Sequence, residues 1–201
     1  MSTPLTLTLT INDLRRVGAC SLDNRIKDLC ETLGREVPSD EAVGLGVWWN
    51  LPSTSVADMV WSLRMLGQSG GRIGVELACI ASRRVLPIIS DNTVREDCAA
   101  AISEVEAGVR SGVLAKHCRT LRDHLRNVQD DDSSGAITAC LNTVYAARCQ
   151  DHTLYHCMNF VMLVTGTRVD AFTVHTKATL GAVCANQRAD LYRLTGIGLN
   201  E

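Results

Sequence analysis

Two cysteines and two histidines fall within ten residues, in "RCQDHTLYHC" at positions 148–157. Thiolate and imidazole are the usual ligands of zinc. On a continuous helix Cys149, His152 and His156 share an arc of about 60°, and Cys157 lies about 80° from Cys149. Three such ligands on one face suit zinc, with Cys157 or His175 as a fourth. Two features count against this. Structural zinc sites draw paired ligands from two segments, and only one such segment is visible here. "HTLYH" also lacks the glutamate that an H-E-x-x-H metalloprotease uses as its base. The other reading, which the sequence favours, is a packed helix with cysteines in its core and histidines at its edge. If Gln150 and Asp151 break the helix, with Asp151 as N-cap, Cys149 leaves the shared face.

Nucleophilic chemistry finds less. "KHC" at 116–118 and "HC" at 156–157 put Cys beside His in sequence. Neighbours i and i+1 on a helix do not face each other, so neither pair is a dyad by itself. The glycines of "LGQSGGRIG" and "LTGIGLNE" follow no strand and make no phosphate cradle. The acidic triplet at 130–132 lacks the spaced oxygen ligands of a calcium loop. No catalytic residue is assigned, and no cofactor is expected beyond the zinc alternative.

Two features suit recognition. Trp48 and Trp49 stand side by side before a turn. They diverge by about 100° on a helix, so either both close an enclosed core or one is exposed as an interface anchor. Core placement is the simpler reading, and both are carried as candidate interaction residues. Lys116, Arg119, Arg122 and Arg126 form a positive stripe on "KHCRTLRDHLR". It could dock an acidic protein, bind nucleic acid, or pair with the acids at 130–132.

The elements that must position these residues are mostly helical. "LTLTLTI" at 5–11 alternates with period two, a strand signal with no evident partner, so it reads as an extended arm that could pair in a homo-oligomer. Thr10 with Asp13, Ser55 with Asp58 and Thr93 with Glu96 each suggest a capping box. Gly34 suggests a helix stop, "GQSGG" at 67–71 a clear break, and "DDDSSG" at 130–135 a linker. About nine or ten helices with short connections follow. The expected fold is all-α, a multi-helix bundle or an irregular stack of antiparallel helix pairs. Residues 1–10 form the arm and 11–201 one helical domain, with a possible subdomain boundary near 130–135. The tail from 195 is expected to be loose.

Composition agrees. Hydrophobic residues are 46% and aromatics only 4%, so the core must be built from aliphatics, alanine and cysteine. Net charge is −2 with no basic run, which makes nucleic acid an unlikely partner class by phosphate neutralisation. Nine cysteines, an odd number, without a secretory leader point to reduced thiols in the cytoplasm, most of them buried as small hydrophobes. No apolar run reaches the length that spans a bilayer.

"VADMVWSLRML", "ELACIASRRVLPI" and "REDCAAAISEVEAGVRSG", after the leader-like "INDLRRVGAC", resemble a loose group of small phage and bacterial helical proteins often labelled immunity proteins. The resemblance covers roughly 11–112 and rests on apolar helix positions. The second half departs from it, with fewer alanines and the Cys/His cluster. It implies an all-α adaptor or inhibitor-like protein in a phage or bacterial setting, and it implies no activity. With no catalytic constellation, the expected function is non-enzymatic binding of another protein, a host or defence component.

Overall fold

The computed structural model describes residues 8–66, 68–108, 111–129, 131–148 and 176–197. These form nine α-helices and one small sheet: β1 Thr8–Leu9, α1 Ile11–Arg16, α2 Leu22–Leu33, β2 Val43–Gly44, α3 Leu45–Asn50, α4 Val56–Ser62, α5 Gln68–Val85, α6 Asn92–Glu106, α7 Ser111–Asn127, α8 Asp131–Arg148 and α9 Thr176–Thr195. Short 3-10 turns, Leu63–Leu66 and Leu86–Ile88, extend α4 and α5. The fold is all-α. Among the described residues no helix is long and apolar enough to cross a membrane.

The helix starts follow local chemistry in two of three cases. Asp13 accepts the Thr10 backbone N–H at 3.0 Å while the Thr10 hydroxyl oxygen accepts Asp13 N–H at 2.9 Å. These contacts, the backbone bond first, hold the Asp13 carboxyl below its usual range. Ser55 and Asp58 repeat the box at α4. The third start differs. Helix α6 begins at Asn92, capped by Asp91, whose carboxylate accepts Thr93 N–H at 2.8 Å and Val94 N–H at 3.1 Å. An aspartate two residues upstream of Thr93 is at least as good a cap. Gly34 ends α2 at φ 66°, a left-handed conformation that costs glycine little.

Three further expectations change. The end of the arm has its partner inside the chain: Thr8 pairs with Gly44 and Leu9 with Val43, antiparallel. Two residues of "AVGLG" are too short to announce a strand by alternation. Residues 1–7 lie outside the described residues. Second, "GQSGG" does not break the chain through to 71, because α5 starts at Gln68. Gly70 sits where the helix meets the preceding turn, and a methyl there would collide with the Leu63 carbonyl. Close approach, rather than flexibility, explains that glycine. Third, residues 131–135 of "DDDSSG" are the first turn of α8 rather than a linker. Ser133 is buried, and its hydroxyl accepts Ser90 N–H at 3.3 Å.

The core has two connected parts. Helix α8 packs on α5, α6 and α7. It presents Ala136, Ile137, Ala139, Cys140 and Val144 to Leu77, Ala81, Cys98, Ile102, Cys118 and Leu121. Alanine and cysteine let these axes approach closely, as an aromatic-poor sequence requires. Thr143 makes the buried polar contacts across the α8–α5 seam, its Oγ1 lying 2.8 Å from Ser82 Oγ and 3.4 Å from the Ala78 carbonyl oxygen. The other part gathers α2, α3, α4 and α9 around Trp49 and Met59, which are 1% and 0% exposed. An ion pair between buried Arg25 and half-buried Asp58, Nη2 to Oδ1 at 2.5 Å, fastens α2 to α4. Arg83 and Glu106 fasten α5 to α6, and the arginine's hydrogen bonds draw the Glu106 carboxyl below its usual range.

Helix α9 closes this second part. Arg188 donates to the carbonyls of Trp49 at 2.8 Å and Thr54 at 2.6 Å. Tyr192 hydroxyl donates to Asn50 Oδ1 at 2.5 Å. Its ring meets Trp49 edge-on, with centroids 5.8 Å apart. The start of the tail is also held: Ile197 is buried, and its N–H reaches Thr195 Oγ1 at 3.4 Å.

Candidate protein-interaction face

The tryptophans leave the list of surface anchors. Trp48 is 4% exposed and its indole N–H donates to Leu9 carbonyl at 3.2 Å. Trp49 indole N–H donates to Ser62 Oγ at 2.9 Å. The 100° divergence is met by enclosing α3, with the β1–β2 ribbon on one side and α4 with α9 on the other. Each ring is buried with its one donor satisfied, as buried tryptophan requires.

Cys149, His152, His156, Cys157 and His175 lie outside the described residues. Among the described residues, no group of three or more His, Cys, Asp or Glu is placed to hold a metal. Cys79, Cys98, Cys118 and Cys140 are buried, while Cys20 is exposed and Cys30 half-buried. Burial, with nearby Glu106, pushes the Cys79 thiol up to about 12. A hydrogen bond with Cys98, then burial, raises Cys140. Thiols held protonated are weak nucleophiles and weak ligands at neutral pH. Cys118 packs inward from α7, so "KHC" forms no dyad through it.

The basic stripe remains. Leu114, Cys118 and Leu121 bury the inner face of α7, with Leu125 and Val128 half-buried at its end. That burial fixes the helix rotation and turns Lys116, Arg119, Arg122 and Arg126 outward, all four exposed. Its other flank is set by His124, whose Nε2 meets Asp97 Oδ2 on α6 at 2.7 Å. His124 lies about 140° around the helix from Arg119, so α6 does not cover the stripe. Arg126 pairs with Asp123 at 3.1 Å, an exposed contact worth roughly 0–1 kcal/mol. Among the described residues, Lys116 and Arg119 form no ion pair. The Arg122 guanidinium lies over the Tyr145 ring, 5.2 Å from its centroid.

Helix α8 adds residues that the sequence reading did not select. Arg148 is exposed, and its Nη1 reaches Cys118 Sγ at 3.8 Å. Pairing Tyr145 with Arg122 and Arg148 with Cys118 shows that α7 and α8 run antiparallel. Arg148 therefore stands over Cys118, one helical turn from the Arg122–Tyr145 contact on the same seam. The available signal was the absence of any acid from 133 to 148 and the i, i+3 placement of Tyr145 and Arg148. Their alignment with α7 depends on tertiary packing. No family model matches the chain, no curated protein matches it, and no solved structure matches it.

Proposed function

We propose that this chain is a non-enzymatic, protein-binding helical protein of the adaptor or inhibitor kind, engaging an acidic partner through the outer face of α7. The observation that carries this reading is the row Lys116, Arg119, Arg122 and Arg126. All four are exposed, and only Arg126 is in an ion pair among the described residues. A face of one sign speeds encounter with an opposite face and rejects like-charged competitors. A phage or bacterial setting, with a host or defence component as target, follows from the resemblance of residues 11–112. Nucleic acid is less well supported, because the whole chain carries −2 and Asp123 interrupts the stripe.

Immobilised protein and its Arg119→Glu/Arg122→Glu variant, exposed to extract of the native host at low salt, test the reading. The expected outcome is a protein retained by the wild type and lost by the variant. Identical captures, or no capture, would sink it.

A further inference from the structure

We infer that the seam between α7 and α8 is built to receive an acidic α-helical segment of a protein partner, its carboxylates spaced one turn apart, and that Arg148 belongs to the receiving surface. This rests on the protein-binding reading above and adds the chemistry and shape of what is bound.

Three observations converge on the seam. The first is positive charge that, among the described residues, is not neutralised by an ion pair at Arg119, Arg122 or Arg148. Arg122 on α7 and Arg148 on α8 meet at the seam, Arg119 and Lys116 continue the positive charge around the exposed face of α7, and the acid Asp123 is paired with Arg126. The second is preorganisation. Tyr145 supports the Arg122 guanidinium from below, and Arg148 is steadied against the Cys118 sulfur. A stacked guanidinium loses less freedom on binding and presents its fork of donors in a fixed plane, which suits a carboxylate.

The third is spacing. Arg119, Arg122 and Arg126 rise by three and four residues, or about 4.5 and 6 Å along the axis. Glutamates at i, i+3 and i+7 of a helix lying alongside rise by the same steps. An extended strand repeats its same-side residues every ~6.8 Å and falls out of step with the first interval. The whole row from Lys116 to Arg126 spans about 15 Å. Such a row can neutralise only a few phosphates of a duplex, too few for strong binding at physiological salt.

The test uses the full chain and three fluorescent probes at low salt. One is an alanine-rich helical peptide with glutamates at i, i+3 and i+7 on one face. The second has the same composition with glutamates scattered around the helix. The third is a short DNA duplex. The patterned peptide should bind at least about tenfold more tightly than the scattered one, a difference near 1.4 kcal/mol. Its binding should weaken with added salt. Arg122→Glu and Arg148→Glu should each weaken it about tenfold, and Lys27→Glu on α2 should leave it unchanged.

Should Arg122→Glu fail to fold, as judged by circular dichroism, Arg119→Glu and Arg148→Glu carry the same comparison. Equal affinity for the two peptides, insensitivity to Arg148→Glu, or duplex bound as tightly as the patterned peptide would overturn the inference. If the double variant loses a host protein while the patterned peptide does not bind, the acidic-helix inference falls and the protein-binding reading stands. Loss of neither overturns both.

Discussion

Gln187 is 1% exposed on α9, and among the described residues neither its Oε1 nor its Nε2 has a hydrogen-bond partner. An unsatisfied buried amide costs about 1–3 kcal/mol in desolvation. Gln187→Met keeps the length of the side chain and removes that cost. It should raise stability by about 1 kcal/mol, roughly 2–4 °C in Tm. A lower Tm in calorimetry would show that the amide is better served than its contacts indicate. The cysteines make a second residue-scale prediction. The Cys79 thiol sits at about 12 in the fold, against 9.0 when unperturbed. The unfolded chain therefore releases this proton first, so the stabilisation is whole below pH 9 and is lost as pH rises from 9 towards 12. Cys140 is shifted in the same direction. Urea unfolding at pH 8, 9.5 and 11 should show falling stability, and Cys79→Ala should flatten the slope. The tryptophans show the limit of residue-level reading. Their types and adjacency fit an anchor or a core, and only the surroundings of α3 decide for the core.

At the scale of elements, the two neighbouring glycines at the start of α5 give opposite expectations. At Gly71 a methyl meets open space, so Gly71→Ala should stabilise the helix by up to about 1 kcal/mol. At Gly70 it meets the Leu63 carbonyl, so Gly70→Ala should destabilise the protein. Thermal unfolding of the two variants checks this, and shifts of the same sign would refute it. The α2–α4 connection behaves differently again. Asp58 caps α4 and also pairs with the buried Arg25. Asp58→Asn keeps much of the cap but strands a buried charge, at a cost of about 3–5 kcal/mol. Arg25→Met should cost less, since it removes the charge with the pair; denaturant titration of both variants gives the comparison. The caps at Thr10 and Ser55 were legible because capping is local. The start of α5 was not, since Ser and Gly clusters mark turns equally well and the Leu63 contact depends on how α5 folds back. The same holds for "DDDSSG", where burial of Ser133 against Ser90 selects helix over linker.

At the scale of the molecule, Arg188 joins segments more than 130 residues apart in sequence through two carbonyls, Trp49 and Thr54. Arg188→Ala should cost about 2–4 kcal/mol, because two buried acceptors lose charge-assisted bonds. Amide exchange should quicken in residues 49–54 before it does in α6–α8; uniform quickening would mean that α9 is no local clamp. The sequence by itself determined the all-α class, two of the helix caps, and the grouping of Lys116, Arg119, Arg122 and Arg126 into one positive stripe. These depend on periodicity and on contacts three or four residues apart. Only the tertiary structure decided that β1 pairs with Val43–Gly44, that both tryptophans are enclosed, and that Tyr145 and Arg148 of α8 join the α7 stripe. Such contacts link distant positions, and a helix's own sequence specifies which face is buried without specifying which neighbour buries it.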